Sequence, residues 1–378
     1  MKIVCDDRIP FIRGVFEPWA EVVYLPGAAT GPEQVRDADA LVTRTRTRCD
    51  AALLEGSRVR VIATATIGFD HIDTAWCDAR GIVWKNAPGC NAASVEQYAA
   101  SVFAVLLRRR GLDPRGLTLG VVGAGNVGSR VARIGSLLGM RVLLCDPPRA
   151  RREGGRGFVG LDELLDGSDI VSLHVPLSTQ GEDATWHLID AAKLGRMRPG
   201  QLIVNTSRGP VVDNSALRDA LKAHAIGGAV LDVWEGEPAI DRELLGLLDI
   251  ATPHIAGYGA DGKARGTAAA VHAVASVLGL PLENWEPESL PAPPQTSVFR
   301  LDGAGRQPWE LLCDAVLHSY DVREDDSRLR GDPGLFERLR GGYPVRREFP
   351  AFTAVLSGAC PEAAVLLKEA GFNVTEAH

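Results

Sequence analysis

The chain has 378 residues, enough for two or three domains that each bury a core. A hydrophobic content of 46% and a charged content of 24% are ordinary for a soluble globular protein, and the net charge of -7 argues against a nucleic-acid or anionic-membrane surface. No apolar run reaches the roughly 18–20 residues that span a membrane, and Asp6 and Asp7 lie where a signal peptide would be apolar. We therefore expect a cytoplasmic protein without nucleic-acid or membrane partners.

The cysteines predict neither a disulfide framework nor a metal site. Their number is odd, their spacing is wide, and no C-x-x-C pair occurs. We expect reduced, mostly buried thiols. The seven positions are Cys5, Cys49, Cys77, Cys90, Cys145, Cys313 and Cys360.

Short apolar, β-branched runs recur through the first hundred residues, with turn or helical material between them. Alternation of this kind predicts a parallel sheet with helices on both faces. We interpret residues 1–93 as the first part of a flavodoxin-like, doubly wound substrate-binding domain. The predicted strands are Lys2–Cys5, Val22–Leu25, Ala40–Thr43, Val59–Ala63 and Ile82–Trp84.

A long helix is predicted to lead into a second domain. Ser94–Gln97 has the pattern of a capping box, apolar positions at helical spacing follow it, and Arg108–Gly111 is typical of a helix end. This helix would be the first crossover, and a second helix over Lys263–Leu278 would return the chain to the first domain. Two crossovers predict a hinged cleft, the usual place for a ligand.

The segment from Thr118 to Gly128 carries the pattern G-x-G-x-x-G between a predicted strand and an amphipathic helix. Gly123 permits the tight turn, Gly125 lets a pyrophosphate approach the backbone, and Gly128 lets the helix pack against the sheet. Free amides at the helix start would hold the phosphates. This pattern predicts a dinucleotide-binding Rossmann domain.

An acid follows the next predicted strand, Arg141–Cys145. Asp146 lies 18 residues past Gly128, where a carboxylate suits the ribose hydroxyls of NAD and repels the additional phosphate of NADP. Arg149 is the one feature that would favour NADP. We predict NAD as the cofactor.

Further predicted strands complete a second doubly wound domain over residues 94–258, inserted into the first domain, which resumes over residues 259–285. These strands are Leu117–Val122, Arg141–Cys145, Ile170–His174, Leu202–Asn205, Ala229–Val233 and Ile250–Thr252. Five prolines between residues 281 and 297 then indicate a linker. The remainder, residues 286–378, is predicted to be a small α+β domain that pairs two subunits.

Within this C-terminal domain the pattern alternates between strand and helix, apart from one charged segment that we interpret as a loop. The predicted elements are a strand at Val298–Leu301, a helix at Trp309–Tyr320, the charged loop at Arg323–Arg330, a strand at Ala354–Ser357, a helix at Ala363–Ala370 and a strand at Phe372–Thr375.

Three residues suited to acid–base chemistry follow consecutive predicted strands, where ligands of open parallel sheets bind. Arginine binds a substrate carboxylate through two parallel hydrogen bonds. Histidine takes a hydroxyl proton as hydride leaves, and a neighbouring carboxylate fixes its tautomer and favours its protonated form. The candidate catalytic residues are Arg208, Glu237 and His254.

The order and spacing of these motifs resemble the D-2-hydroxyacid dehydrogenase family, in which Arg, Glu and His occupy these positions. The resemblance implies substrate contacts at Thr45, Thr66 and Tyr258. It implies NAD contacts at Gly123, Gly125, Asn126, Val127, Gly128, Asp146, Val175, Thr206, Ser207, Arg208, Asp232 and Gly257. Thr45 replaces the usual serine, and Val175 replaces the usual threonine, so only the backbone of Val175 could bind. No metal is implied.

The resemblance extends to the C-terminal domain and to a branch of the family that acts on a small phosphorylated 2-hydroxy acid as a homodimer. The sequence leaves the phosphate ligands open, because Arg44 and Arg46 lie on the opposite side of their strand from Thr45. Two other interpretations also stay open. One is a dehydrogenase for another acid, such as phosphoglycerate, and the other is a nucleotide-sensing regulator.

Overall fold

The computed structural model describes residues 1–358 and 360–376. The chain forms two compact units. The first joins Met1–Asn91 with Gly259–Pro291, and the second joins Ala92–Tyr258 with the chain from Ala292 onward. The domain boundaries predicted at residues 93, 258 and 285 stay predictions.

The first unit begins with an alternation of strands and short helices. The five strands form an all-parallel sheet in the order β2-β1-β3-β4-β5. Successive residues of β1 enter different clusters, Ile3 on one face and Val4 on the other, so that both faces of the sheet are buried. The elements are β1 Lys2–Asp6, β2 Glu21–Leu25, α1 Pro32–Val35, β3 Ala40–Thr43, α2 Ala51–Leu54, β4 Val61–Thr64, α3 Thr74–Ala79 and β5 Val83–Lys85.

The second unit contains a six-stranded, all-parallel sheet in the order β11-β10-β9-β8-β6-β7. The helices between its strands cover both faces, as the alternating pattern predicted. Its elements are α4 Ala92–Arg110, β6 Thr118–Val122, α5 Asn126–Leu138, β7 Arg141–Cys145, α6 Pro147–Glu153, α7 Leu161–Gly167, β8 Ile170–Leu173, α8 Ala191–Arg196, β9 Leu202–Asn205, α9 Asn214–Lys222, β10 Gly228–Leu231, α10 Arg242–Leu247 and β11 Ile250–Ala251.

Helix α4 begins at Ala92, so Ser94 lies inside the helix and the predicted capping box is wrong. The two side chains that would have formed it have tertiary partners instead. Ser94 donates a hydrogen bond to Glu348 at 2.6 Å, and the side-chain amide of Gln97 donates to the Ser319 hydroxyl and to the Arg347 backbone oxygen. Partners elsewhere in the fold, one of them a carboxylate, replaced the local cap.

Helix α11, Ala260–Leu278, belongs to the first unit and packs on β4. It begins three residues before the predicted Lys263. A Cβ at Gly266 would lie 2.4 Å from the Ala65 backbone oxygen, so this helix approaches the sheet closely. The predicted proline-rich linker follows, without helix or strand between residues 281 and 297.

The C-terminal elements include a three-stranded parallel sheet in the order β12-β13-β14. The charged segment predicted to be a loop is helix α13, so that prediction was wrong. Val322 and Leu329 are buried, and ion pairs at i,i+4 spacing, such as Arg330 with Asp326, support the helix. The elements are β12 Val298–Asp302, α12 Pro308–Ser319, α13 Val322–Gly331, α14 Phe336–Gly341, β13 Thr353–Ser357, α15 Pro361–Ala370 and β14 Asn373–Glu376.

All seven cysteines are buried and lie outside any disulfide bond, which agrees with the predicted thiols. Burial raises the pKa of the Cys145 thiol to about 11, so this group stays protonated near neutral pH. Among the described residues, no helix combines the length and the apolar character that crossing a membrane requires.

Candidate active site

The three candidate catalytic residues follow neighbouring strands of the six-stranded sheet. Arg208 follows β9, Glu237 follows β10 and His254 follows β11, and these three strands are adjacent and parallel. The carboxyl ends of adjacent parallel strands lie at one edge of a sheet, where open α/β folds bind their ligands.

His254 and Glu237 form a direct pair, with His254 Nδ1 2.8 Å from Glu237 Oε2. No described residue lies within hydrogen-bonding distance of the other ring nitrogen, His254 Nε2. The carboxylate therefore favours the tautomer or charge state that carries a proton on Nδ1. The imidazole can exchange a proton with a ligand through Nε2.

Glu237 is mostly buried, with 19% of its side chain exposed, and still holds its charge. Burial alone would raise the pKa of its carboxyl, but His254, the Trp234 N–H group and the charge of Arg340 together lower it below its ordinary value. The Trp234 N–H donates to Glu237 Oε1 at 2.9 Å, so both carboxylate oxygens are held. The side chain is a fixed anion beside the imidazole.

A buried carboxylate shapes the backbone around His254. Asp232 accepts hydrogen bonds from the N–H groups of Ile255 and Ala256 and from the hydroxyl of Thr252, and its own backbone oxygen accepts from His254 N–H. These bonds hold His254 at a φ of 57°, a left-handed conformation that costs about 1 kcal/mol. Burial raises the pKa of Asp232, and these donors oppose the rise.

Asn205 determines the turn that carries Arg208. Its side-chain oxygen accepts from the N–H and the hydroxyl of Ser207, and its amide nitrogen donates to the Arg208 backbone oxygen at 2.9 Å. The Arg208 guanidinium is half-buried and donates to the Ser207 backbone oxygen. Asn205 was not predicted as a site residue, although a polar residue at the end of an apolar strand was a usable signal.

The Arg208 turn and the Glu237 loop touch at Gly209. A Cβ at this position would lie 2.0 Å from the Trp234 backbone carbon, so only glycine permits the contact. Asn214 and Glu235 strengthen it, because each donates a backbone N–H to the other's side-chain oxygen. No local pattern in the sequence indicates this contact, since it joins residues that follow different strands.

His187, in the segment between β8 and α8, contacts residues next to both of the loops that meet at Gly209. Its Nε2 is 2.8 Å from Glu235 and its Nδ1 is 3.7 Å from Asp213, and the ligand atoms of the three residues lie within 4.8 Å of one another. Among the described residues this is the one group with the composition of a metal site. Both carboxylates already accept backbone N–H groups, from Asn214 and Ala216, so the group has a structural role without a metal.

The glycine-rich turn fits a dinucleotide phosphate. Gly123 has a φ of 87°, and a Cβ on Gly128 would lie 1.8 Å from the Gly123 backbone oxygen. Gly125 and Asn126 are exposed at the start of α5, the space beside Gly125 is open, and the first turn contains no acid. An exposed helix N-terminus of this kind binds anions through its N–H groups.

Asp146 lies at the end of β7, where the ribose of NAD is expected. Its carboxylate accepts hydrogen bonds from the N–H groups of Ala124 and Arg149, at 2.9 Å each. The Arg149 guanidinium donates to the Ala124 backbone oxygen and pairs with Glu153. Asp146 therefore lies against the glycine-rich turn, with a cation nearby that Glu153 partly neutralises.

The remaining predicted NAD contacts lie on three loops and at the start of helix α5 in the second unit. Val175 follows β8, and a Cβ on Gly123 would contact its side chain at 2.9 Å. The hydroxyl of Thr206 is 3.2 Å from His174 Nδ1. Val127 lies in the first turn of α5, Ser207 follows β9 and Gly257 precedes Tyr258. Their contacts with NAD stay predictions.

The predicted substrate residues belong to both units. In the first unit Thr45 is exposed in the turn after β3, and the hydroxyl of Thr66 donates to the Gly68 backbone oxygen after β4. Arg44 pairs with Asp6 at 3.2 Å in the same unit. Tyr258 belongs to the second unit, and its hydroxyl accepts a hydrogen bond from Arg340 at 3.0 Å.

Two other histidines, His71 and His174, lie near the ends of predicted strands and have protein partners. His71 Nε2 lies 3.3 Å from the Thr43 hydroxyl, and burial lowers the pKa of His71. His174 lies between the hydroxyls of Ser172 and Thr206, and burial lowers the pKa of His174 to about 3. Neither has a carboxylate bonded to its ring, in contrast to His254.

Comparison with known proteins agrees with this geometry. The sequence profile of the D-isomer specific 2-hydroxyacid dehydrogenase NAD-binding domain matches residues 92–256, and a profile described as a domain of unknown function matches residues 291–368. Erythronate-4-phosphate dehydrogenase of Bacteroides fragilis is 46% identical over 358 residues, which cover 94% of this chain and 100% of that protein. The Azotobacter vinelandii protein of the same name is 46% identical over 98% of this chain and 99% of its own.

This chain belongs to the erythronate-4-phosphate dehydrogenase family. It is an NAD-dependent dehydrogenase of the D-isomer specific 2-hydroxyacid type. A crystal structure of D-lactate dehydrogenase from Aquifex aeolicus, complexed with NAD and lactic acid, is 28% identical, with a TM-score of 0.62 over 74% of this chain and 96% of that one. The predicted α/β fold with parallel sheets and a C-terminal domain, and the predicted NAD cofactor, are confirmed.

Proposed function

We propose that this chain oxidises 4-phospho-D-erythronate to (R)-3-hydroxy-2-oxo-4-phosphooxybutanoate, as a step in the biosynthesis of pyridoxal 5'-phosphate. The observation that carries the proposal is the 2.8 Å contact between His254 Nδ1 and Glu237. These two residues follow β11 and β10, and Arg208 follows the neighbouring strand β9. The shared name of the relatives that are 46% identical supports the choice of substrate.

Each of the three candidate catalytic residues has one task in the proposed reaction. Arg208 binds the substrate carboxylate through its planar guanidinium and orients the neighbouring hydroxyl-bearing carbon. His254 Nε2 takes the hydroxyl proton as the C2–H bond breaks and the C2–O bond becomes a carbonyl. Glu237 keeps the imidazole oriented and stabilises its positive charge after the transfer.

The dinucleotide site binds NAD, the oxidant of the proposed reaction. NAD, when bound, accepts the two electrons and the hydrogen of the C2–H bond as hydride. The exposed N–H groups at the start of α5 hold its pyrophosphate, and Asp146 accepts hydrogen bonds from its ribose. Val127, Val175, Thr206, Ser207, Asp232 and Gly257 complete the proposed NAD site, and Thr45, Thr66 and Tyr258 contact the substrate.

The test is a substrate panel followed by a variant. NADH formation is measured with 4-phosphoerythronate, erythronate, phosphoglycerate and lactate, and the highest kcat/KM is expected for 4-phosphoerythronate. His254→Ala should lower kcat about 100- to 10,000-fold while NAD affinity is retained, and the exposed His224→Ala serves as the control. A higher kcat/KM for an unphosphorylated acid, or unchanged turnover in His254→Ala, would contradict the proposal.

We also propose that the chain forms a homodimer through its C-terminal residues and acts in the cytoplasm. The three-stranded sheet has edges at β12 and β14, and Val298 on β12 and Val365 on α15 are more than half exposed. Open sheet edges and exposed apolar side chains favour pairing with a second chain. Sedimentation of the full chain tests the dimer, and Val298→Asp with Val365→Asp should produce monomers.

A further inference from the structure

We propose that Arg340, on helix α14, binds the phosphate group of the substrate and so determines specificity for a phosphorylated acid. The inference rests on the proposed function. Its starting point is that Arg340 Nε donates a hydrogen bond to the hydroxyl of Tyr258 at 3.0 Å. A cation from the C-terminal residues is therefore in contact with the loop that also carries His254.

The Arg340 guanidinium has few partners of its own. Its ion pair with Glu337 is loose, at 3.9 Å, and the Tyr258 hydroxyl is a neutral acceptor. A guanidinium carries five N–H donors, and among the described residues only Tyr258 accepts one of them in a hydrogen bond. The two terminal nitrogens remain available for the bidentate pair that arginine forms with phosphate.

The position of Arg340 is fixed by packing, which makes it suitable as a binding group. Phe336, one turn earlier on α14, is buried in the same apolar cluster as Trp234 and Leu248. Helix α13 is attached to the edge strand β11, because the Ala251 N–H donates to Asp326 and Arg330 binds the Leu248 backbone oxygen. Helix α14 follows α13 in the chain, and the bond from Arg340 to Tyr258 brings it to the loop that follows β11.

The charge of Arg340 reaches the catalytic pair. It is one of the groups that hold the pKa of Glu237 below its ordinary value, after His254 and the Trp234 N–H group. A dianionic ligand beside Glu237 would meet repulsion, and the positive charge of Arg340 reduces it. Arg346, a buried arginine of the same region, differs from the partly exposed Arg340 because the rings of Tyr320 and Tyr343 enclose it and only 4% of it is exposed.

The comparisons are consistent with a role for phosphate. The dehydrogenase profile ends at residue 256, and Arg340 lies in the segment that matches the domain of unknown function. The D-lactate dehydrogenase structure, which is complexed with an unphosphorylated acid, covers 74% of this chain while 96% of its own length is matched. Arg340 thus lies outside the residues that match the dehydrogenase profile.

The decisive experiment compares two substrates that differ only in the phosphate, 4-phosphoerythronate and erythronate, with saturating NAD. Arg340→Met removes the guanidinium and keeps a side chain of similar length. We expect the ratio of kcat/KM for the phosphorylated acid to that for the unphosphorylated acid to fall about 10- to 100-fold, mainly through KM. Arg340→Lys should restore part of the ratio, since it keeps the charge and loses the bidentate geometry.

The control is Arg338→Met, which removes an exposed arginine from the same helix and should leave the ratio unchanged. Inorganic phosphate is a second probe. It should inhibit the unaltered enzyme in competition with the substrate, and this inhibition should weaken in Arg340→Met by a similar factor. If Arg340→Met does not fold, the comparison is made with Arg340→Lys and Arg340→Gln.

An equal loss for both substrates would overturn the inference, because it would assign Arg340 to the support of Tyr258 or Glu237. Retained phosphate inhibition in Arg340→Met would also overturn it. If the proposed function is wrong, the result differs from both of these outcomes, because the unaltered enzyme would then have its highest kcat/KM with another acid. In that case the inhibition by phosphate still tests the role of Arg340.

Discussion

Glu237 Oε2 lies 2.8 Å from His254 Nδ1, and the same carboxylate accepts the Trp234 N–H through Oε1. The two residues are 17 positions apart in the sequence, and the whole of helix α10 and strand β11 lies between them. The Glu237 carboxylate thus connects the loops that follow two neighbouring strands. A substitution that keeps the shape of this side chain and removes its charge tests the role of the charge alone.

Glu237→Gln should keep the shape and the hydrogen bond from Trp234 and remove the charge. We expect kcat/KM for oxidation to fall about 100-fold or more, because the imidazolium that forms loses its stabilising anion. Steady-state kinetics of NADH formation measure the loss. Glu288→Gln, at an exposed position of the linker, is the control, and an unchanged kcat/KM in Glu237→Gln would contradict the assigned pair.

Gly209→Ala tests the contact between the Arg208 turn and the Glu237 loop. A Cβ at Gly209 would overlap the Trp234 backbone, so the two loops must separate. We expect a loss of about 1–3 kcal/mol in the free energy of unfolding, together with at least about a tenfold loss in kcat/KM.

Gly195→Ala is the matched control for that change. Gly195 lies inside helix α8 with open space around it, so alanine should stabilise the protein by about 0.5–1 kcal/mol. Urea unfolding and steady-state kinetics measure both variants. Full activity in Gly209→Ala would show that the loop contact does not position Arg208 or Glu237.

Asp146→Ser tests the choice of cofactor. Serine can still cap helix α6, but it removes the carboxylate that repels the additional phosphate of NADP, and the Arg149 cation stays nearby. We expect the ratio of kcat/KM for NADP to that for NAD to rise about 100-fold. Adding Arg149→Ala should remove most of this gain. An unchanged ratio in Asp146→Ser would mean that another group selects NAD.

His174 should make stability depend on pH. Its folded-state pKa is lowered to about 3, so only the unfolded chain binds a proton on this residue as the pH falls below about 6.5. Stability from neutral His174 is thus complete at higher pH and is lost towards acid. Between about pH 7.5 and pH 5.5 the loss should be about 1.4 kcal/mol.

His174→Gln should abolish that part of the pH dependence, while His224→Asn, at an exposed position, should preserve it. Urea unfolding at the two pH values gives the difference directly. The same pH dependence in His174→Gln and in the unaltered protein would show that His174 becomes protonated in the folded state.

Several elements could be predicted from local sequence because the signal was periodic or positional. The parallel strands follow from short apolar runs between helices, and the strand-end positions of Arg208, Glu237 and His254 follow from that alternation. The glycine pattern indicated the turn before α5, because its conformation requires glycine locally.

Predictions failed where charged or polar side chains found distant partners. Arg323–Arg330 was interpreted as a loop from its charge, yet its ion pairs and two buried apolar residues make it helix α13. Ser94 resembled a helix cap, but it lies inside α4 because Glu348, 254 residues away, accepts its hydrogen bond. Neither partner can be identified from the segment itself.

The sequence by itself determined the succession of strands and helices, the glycine turn and the residues at the strand ends. Only the tertiary structure decided that Glu237 holds His254, that Gly209 lies against Trp234 and that Arg340 reaches Tyr258. The physical reason is the sequence separation over which each interaction acts. Backbone preference and apolar periodicity act within a few residues, whereas charge pairing and close packing depend on which distant segments the folded chain brings together.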